Sequence, residues 1–121
     1  MSKRILVIED QEDNRRILRD LLMSVGCEIM EAVTGEEGVA LAQTGRPDLI
    51  LMDIQLPGID GYEAMRRVRA NPAIRQVPII AVTSYALSGD DVKAMEAGCT
   101  DYVPKPFSPR ALLAKVREYL P

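Results

Sequence analysis

The chain has 121 residues, 47% of them hydrophobic and 27% charged, with a net charge of -3 and a pI near 5.0. A chain of this length is one domain with one core, burying about two-thirds of the surface that its unfolded form exposes, and its composition excludes disordered and fibrous classes. The acidic balance leaves no electrostatic footprint for nucleic acid or anionic lipid. In chain order, "RILVIED" (4–10) is the first strand candidate. After "MSKR" only Ile5 to Ile8 are apolar before Glu9 and Asp10, too few for a secretory signal, and no apolar run approaches the roughly 18 residues of a membrane span. The expectation is a cytoplasmic protein with no membrane contact. Ile17, Leu18, Leu21, Leu22 and Val25 then recur with helical period and stop at Gly26. "CEIMEAV" (27–33), "DLILMD" (48–53), "VPIIAVT" (77–83) and "TDYVP" (100–104) are further strands. Helices are expected at 36–44, 60–70, 87–97 and 109–119, the last opened by Ser108 as N-cap and Pro109 at the first helical position.

Alternating strands and helices imply a parallel sheet with right-handed crossovers and helices on both faces. The first, third and fourth strands are almost purely apolar, as strands covered on both faces must be, whereas "CEIMEAV" carries Glu28 and Glu31 and "TDYVP" is short and polar. Those two belong at the edges. The doubly wound order 2-1-3-4-5 follows, with its switch point between the first and third strands, where such sheets bind ligands beyond the carboxyl ends.

Glu9 and Asp10 end the first strand and Asp53 ends the third, so this order brings three carboxylates to one cleft. Like charges that close repel and raise at least one pKa. A divalent cation relieves the conflict, and an all-oxygen site with few protein ligands suits Mg2+. Lys105, after the fifth strand, adds a positive charge. Three carboxylates, one divalent ion and one lysine sum to zero, which leaves room for an incoming phosphoryl group. The chain has no histidine, so imidazole ligands, Ser-His or Cys-His bases and an internal phosphohistidine are excluded. Cys27 and Cys99 form no CxxC or zinc spacing and read as small buried hydrophobes.

These residues in this order resemble the receiver domain of two-component response regulators across essentially the whole chain. The family's acidic pair matches Glu9 and Asp10, its phosphoacceptor matches Asp53 in "LMDIQLPGIDG", its hydroxyl matches Thr83 in "VTSYA", its switch aromatic matches Tyr102 and its lysine matches Lys105 in "KPF". The resemblance implies an α/β, doubly wound (βα)5 flavodoxin-like fold, a single receiver domain over 1–121 without an output domain, and Mg2+ as cofactor. It implies that Asp53 takes a phosphoryl group from a histidine kinase or histidine phosphotransferase, with Mg2+ on Glu9, Asp10, Asp53 and the backbone carbonyl of Gln55. Lys105 and Thr83 would hold phosphoryl oxygens, and Thr83 and Tyr102 would switch a surface of the fourth helix, fifth strand and fifth helix toward a downstream protein. A cis Lys105–Pro106 bond, a monomer or weak homodimer, and tuning of phosphoryl lifetime by Gln55 and Tyr85 complete the expectation. Glu9 is one methylene longer than aspartate, and Ser84 stands where the family usually has Ala or Gly.

Two rival functions are weighed against this one. A haloacid-dehalogenase-like phosphatase needs a second aspartate two residues after the nucleophile, where this chain has Gln55; a non-phosphorylated adaptor would be expected to lack one of the acids, Thr83 or Lys105, and all are present. Arg66, Arg67 and Arg69 read as a solvated helix face, and the methionines as core filling. No G-x-G-x-x-G, Walker lysine loop or G-x-S-x-G elbow supports nucleotide binding or serine hydrolysis.

Overall fold

The computed structural model describes residues 3–83 and 90–120. Five strands alternate there with five helices: β1 (Arg4–Ile8), α1 (Glu12–Met23), β2 (Glu28–Ala32), α2 (Gly35–Gly45), β3 (Leu49–Asp53), α3 (Gly61–Ala70), β4 (Ile79–Thr83), α4 (Asp90–Ala97), β5 (Asp101–Pro104) and α5 (Pro109–Tyr119). The expected start of the fourth helix at 87 lies outside the described residues. All strand pairs are parallel, in the order β2-β1-β3-β4-β5. The polarity argument for the edges holds: β3 and β4 are buried throughout, whereas no residue of β2 but Ala32 is fully buried.

The period-two alternation of each strand divides the core between two faces. Ile5, Val7, Leu49, Leu51, Ile80 and Val103 face α1 and α5, meeting Leu18, Leu22, Leu112 and Val116. Leu6, Ile8, Ile50, Met52, Ile79 and Ala81 face the other way, toward Ala42, Ala64, Met65, Val68, Ala94 and Ala97 of α2, α3 and α4. Side-chain caps start three helices: Thr34 accepts from the Glu37 N–H at 3.1 Å, Asp60 from the Glu63 N–H at 2.9 Å, and Ser108, the cap expected from the sequence, from the Ala111 N–H at 3.4 Å. The Lys105–Pro106 peptide is cis. Among the described residues no helix is long and apolar enough to cross a membrane.

Four expectations change. Ile17 keeps the helical period of α1 but is exposed, and Val25 lies past the end of the helix at Met23 and is exposed too, so Leu18 and Leu22 are the buried residues of α1. Met52 and Met65 fill the core as read, whereas Met23 and Met95 are exposed, because each sits on the outer side of its helix. Cys99 is buried but Cys27 only partly so. Arg66 and Arg67 pair with Glu63 on the solvent side of α3, but Arg69 turns inward to bond backbone carbonyls.

Glu31, polar on an edge strand, ties β2 to α1 through Arg19 at 3.1 Å and Arg15 at 3.6 Å. At the other edge, Asp101 accepts Lys115 and the Tyr119 hydroxyl, each at 3.0 Å, and the Tyr102 N–H at 2.8 Å. Burial alone would raise the Asp101 pKa, but the hydrogen bonds from Lys115, the Tyr102 amide and Tyr119 outweigh it and hold it below the usual aspartate range. A depressed carboxylate stabilises the fold above its unfolded pKa, and the contribution is lost as pH falls through the folded value. Asp101→Asn should therefore cost about 1 kcal/mol near neutral pH, the pair being partly exposed, and the gap to wild type should close below about pH 3. Urea midpoints measured across that range check this; a gap independent of pH would remove the pairing as its source.

Candidate functional site

The cleft forms where β1, β3, β4 and β5 end together. Ile8 pairs with Met52 in the β1–β3 register, which sets the next residues, Glu9 and Asp53, side by side. Asp53 is opposite Val82 in the β3–β4 register, and Thr83 follows. The Lys105 N–H donates to the Thr83 carbonyl at 2.7 Å, fixing the start of the β5–α5 connection against the end of β4.

Glu9, Asp10 and Asp53 each bring a carboxylate oxygen to within 4.8 Å of the others. Glu9 and Asp53 are buried, 2% and 5% exposed, and Thr83 is 1% exposed, whereas Asp10 opens to solvent. The Lys105 ammonium bridges the two buried acids, 3.0 Å from Glu9 Oε1 and 3.2 Å from Asp53 Oδ2. The opposite oxygens take backbone amides two residues onward: the Gln11 N–H donates to Glu9 Oε2 at 3.1 Å and the Gln55 N–H to Asp53 Oδ1 at 3.2 Å. Burial disfavours the Lys105 charge, but the Glu9 hydrogen bond and the charges of Asp53 and Glu9 outweigh it and raise its pKa. Desolvation first, then the hydrogen bond and charge of Glu9, raise the Asp10 pKa above the ordinary aspartate value. This is the crowding that the sequence implied. Three carboxylates against one ammonium leave negative charge in excess, and a donor set made only of hard oxygens fits a hard divalent cation such as Mg2+.

Of the other expected residues, Tyr102 is half-buried against the core side that holds α4, and Gln55 is exposed just past β3. Ser84 and Tyr85 lie outside the described residues.

Two contributors were not read from the sequence. Arg15 in α1 donates to the backbone carbonyls of Glu9 at 3.0 Å and Asp10 at 3.1 Å, holding the acidic turn from behind. An arginine in a first helical turn carries no signal that separates it from a surface cation. Gly61 opens α3 directly against the end of β3: a Cβ there would lie 2.5 Å from the Asp53 carbonyl oxygen and 2.7 Å from Ile54 Cα, and the Gly61 N–H donates to the Ile54 carbonyl at 2.8 Å. The sequence places residues 60 and 61 together inside the helix expected at 60–70, which hides this approach.

A sequence profile of the response regulator receiver domain matches residues 5–117. The chain is 38% identical over 120 residues to the polar-differentiation response regulator DivK of Brucella anthropi, covering 99% of this chain and 98% of that one. The receiver domain of sensor histidine kinase PA1611 from Pseudomonas aeruginosa, solved with a magnesium ion coordinated in its active-site cleft, superposes with a TM-score of 0.92 at 38% identity over 98% of each chain. The chemotaxis response regulator CheY4 of Vibrio cholerae gives a TM-score of 0.93 at 27% identity over 98% of this chain and 99% of that one.

The raised Asp10 pKa has a stability consequence. A carboxylate whose folded pKa lies above its unfolded value penalises folding once it ionises, and the penalty disappears below the unfolded pKa. Without divalent cations, Asp10→Asn should raise the melting temperature slightly at neutral pH, and the gain should vanish near about pH 3. A variant less stable than wild type in neutral, cation-free buffer would contradict the crowding.

Proposed function

This chain belongs to the response regulator receiver domain family of two-component signalling, and from that premise we propose that Asp53 is its phosphoacceptor. The supporting observation is a buried carboxylate, 5% exposed, that has a lysine ammonium on one oxygen at 3.2 Å and two further carboxylates within 4.8 Å. The donor is a phosphohistidine on a histidine kinase or histidine phosphotransferase, since the chain has no histidine of its own. The Asp53 carboxylate attacks phosphorus, the nitrogen–phosphorus bond breaks toward the imidazole, which takes a proton, and an aspartyl phosphate forms. Lys105 pairs with one phosphoryl oxygen and the Thr83 hydroxyl donates to another, stabilising charge as it shifts. Glu9, Asp10, Asp53 and the backbone carbonyl of Gln55 would hold Mg2+, which when bound neutralises the crowded acids and the phosphoryl oxygens. The ion in the Pseudomonas receiver supports this choice of metal.

Drawing the Thr83 hydroxyl toward the phosphoryl group frees space for Tyr102 and shifts a two-state equilibrium on the α4-β5-α5 face, where a downstream protein binds. Val92 and Met95, exposed apolar residues on α4, supply that face with contact area. Loss of the phosphoryl group requires water in line with the bond to Asp53; Gln55 and Tyr85 flank that path in our reading, and the bulk of Tyr85 slows self-dephosphorylation.

Incubation with acetyl phosphate and Mg2+ should add one phosphoryl mass to wild type and none to Asp53→Asn. Wild type that gains no such mass with any small donor or partner kinase would overturn the reading in favour of an adaptor. With Glu9 and Asp10 both changed to amides, Mg2+ affinity and phosphorylation should fall together; an unchanged Mg2+ titration would place the ion elsewhere. Thr83→Ala should still accept phosphate yet bind its target poorly, and target binding equal to wild type would remove Thr83 from the coupling. Phosphorylated Tyr85→Ala should decay faster than wild type, and an equal or slower decay would refute shielding.

A further inference from the structure

Arg69 stands in the last turn of α3 and makes four hydrogen bonds that the site does not use. Its Nε donates to the Gly98 carbonyl at 2.8 Å, Nη1 to the carbonyls of Arg75 at 2.8 Å and of Val77, and Nη2 to Thr100 Oγ1 at 3.3 Å. Thr100 Oγ1 also accepts the Ile79 N–H at 3.0 Å, and the Thr100 N–H donates to the Ile79 carbonyl at 2.7 Å. One guanidinium thus fastens the residue that follows α4 to the α3–β4 connection and to the starts of β4 and β5. The backbone is shaped for it: Gly98 has φ +116°, and a Cβ there would lie 2.7 Å from Arg69 Cγ. The Gly98 N–H is bonded to the Ala94 and Met95 carbonyls, so the fastened residue is continuous with the last turn of the helix.

We propose that Arg69 is the pivot of α4, so that the signal formed at Thr83 reaches the exposed face of this helix as a rotation about its fastened C-terminal end and not as a slide along its axis. This rests on the reading that Thr83 and the α4-β5-α5 face carry the signal. Sliding would strip the part-buried Gly98 carbonyl from a planar donor whose position is fixed by the carbonyls of Arg75 and Val77, leaving that carbonyl unmatched. Rotation keeps those bonds. An eight-residue helix is about 12 Å long, so a turn of about 10° about one end carries the other by about 2 Å, a distance on the scale of one hydroxyl changing hydrogen-bond partners. The buried side chains of Ala94 and Ala97 near the pivot are small enough to turn against the core, while Val92 and Met95 sweep the outer surface.

Amide NMR of the full chain, with and without Mg2+ and beryllofluoride as the acyl-phosphate mimic, tests the pivot. Because displacement grows with distance from the fixed end, shifts at Val92 and Lys93 should exceed those at Gly98 and Thr100 by about threefold or more. Comparable shifts at both ends of α4 would overturn the pivot and leave the α4 switch standing. No response anywhere in α4, with the amides around Asp53 responding, would overturn the switch reading and the pivot with it. Arg69→Met keeps the stem and removes every donor; the gradient along α4 should flatten and the response at Tyr102 should shrink. A variant with a lower melting temperature but an intact gradient would make Arg69 a structural tie alone, and the pivot would be wrong.

Discussion

Two buried carboxylates share one ammonium, and the architecture around them follows from making that tolerable. An unpaired buried charge costs several kcal/mol even after relaxation, so Glu9 and Asp53 are held at the ends of adjacent strands, where Lys105 reaches both and a backbone N–H meets the far oxygen of each. The lysine is in turn placed by its own N–H on the Thr83 carbonyl. Strand order, the β5–α5 connection and the acidic turn after β1 together bring these charges within reach of one another. The charge balance remains incomplete, because Asp10 adds a third negative charge that the lysine cannot offset. The raised pKa of that aspartate, set first by desolvation and then by the hydrogen bond and charge of Glu9, accompanies this crowding.

The division of helices between the two faces has a different consequence. α1 and α5 cover the side carrying Ile5, Val7 and Leu51, while α2, α3 and α4 cover the side carrying Leu6, Ile8 and Met52. Tyr102 belongs to the second side, packed against the core that holds Ala81 and Ala94. Asp101, its neighbour in sequence, bonds Lys115 and Tyr119 of α5 on the first. The edge strand β5 therefore ties α5 down with one residue and faces α4 with the next, an economical use of strand alternation.

Much of this was legible because it rests on patterns local in sequence. The apolar runs of β1, β3 and β4 against the glutamates of β2 specify which strands are central, and the order then carries Glu9, Asp10, Asp53, Thr83 and Lys105 to one end of the sheet without further information. What stayed hidden depends on direction in space. Arg66, Arg67 and Arg69 are alike in sequence, and only the packing of α3 beside the end of α4 decides that the third bonds four acceptors while the first two meet Glu63. Ile17 and Leu18 are equally apolar, yet a helix on a sheet buries a stripe narrower than its hydrophobic residues span. Met95 likewise follows from how α4 is turned, which periodicity over eight residues does not fix.

Gly61 sets how closely α3 can approach the sheet. The start of α3 abuts the Asp53 carbonyl so closely that no side chain fits between them, so any larger residue at this position would have to wedge the helix away from the strand end. The contact thus acts as a spacer of zero thickness, in which helix and strand end can shift together but cannot admit a side chain between them.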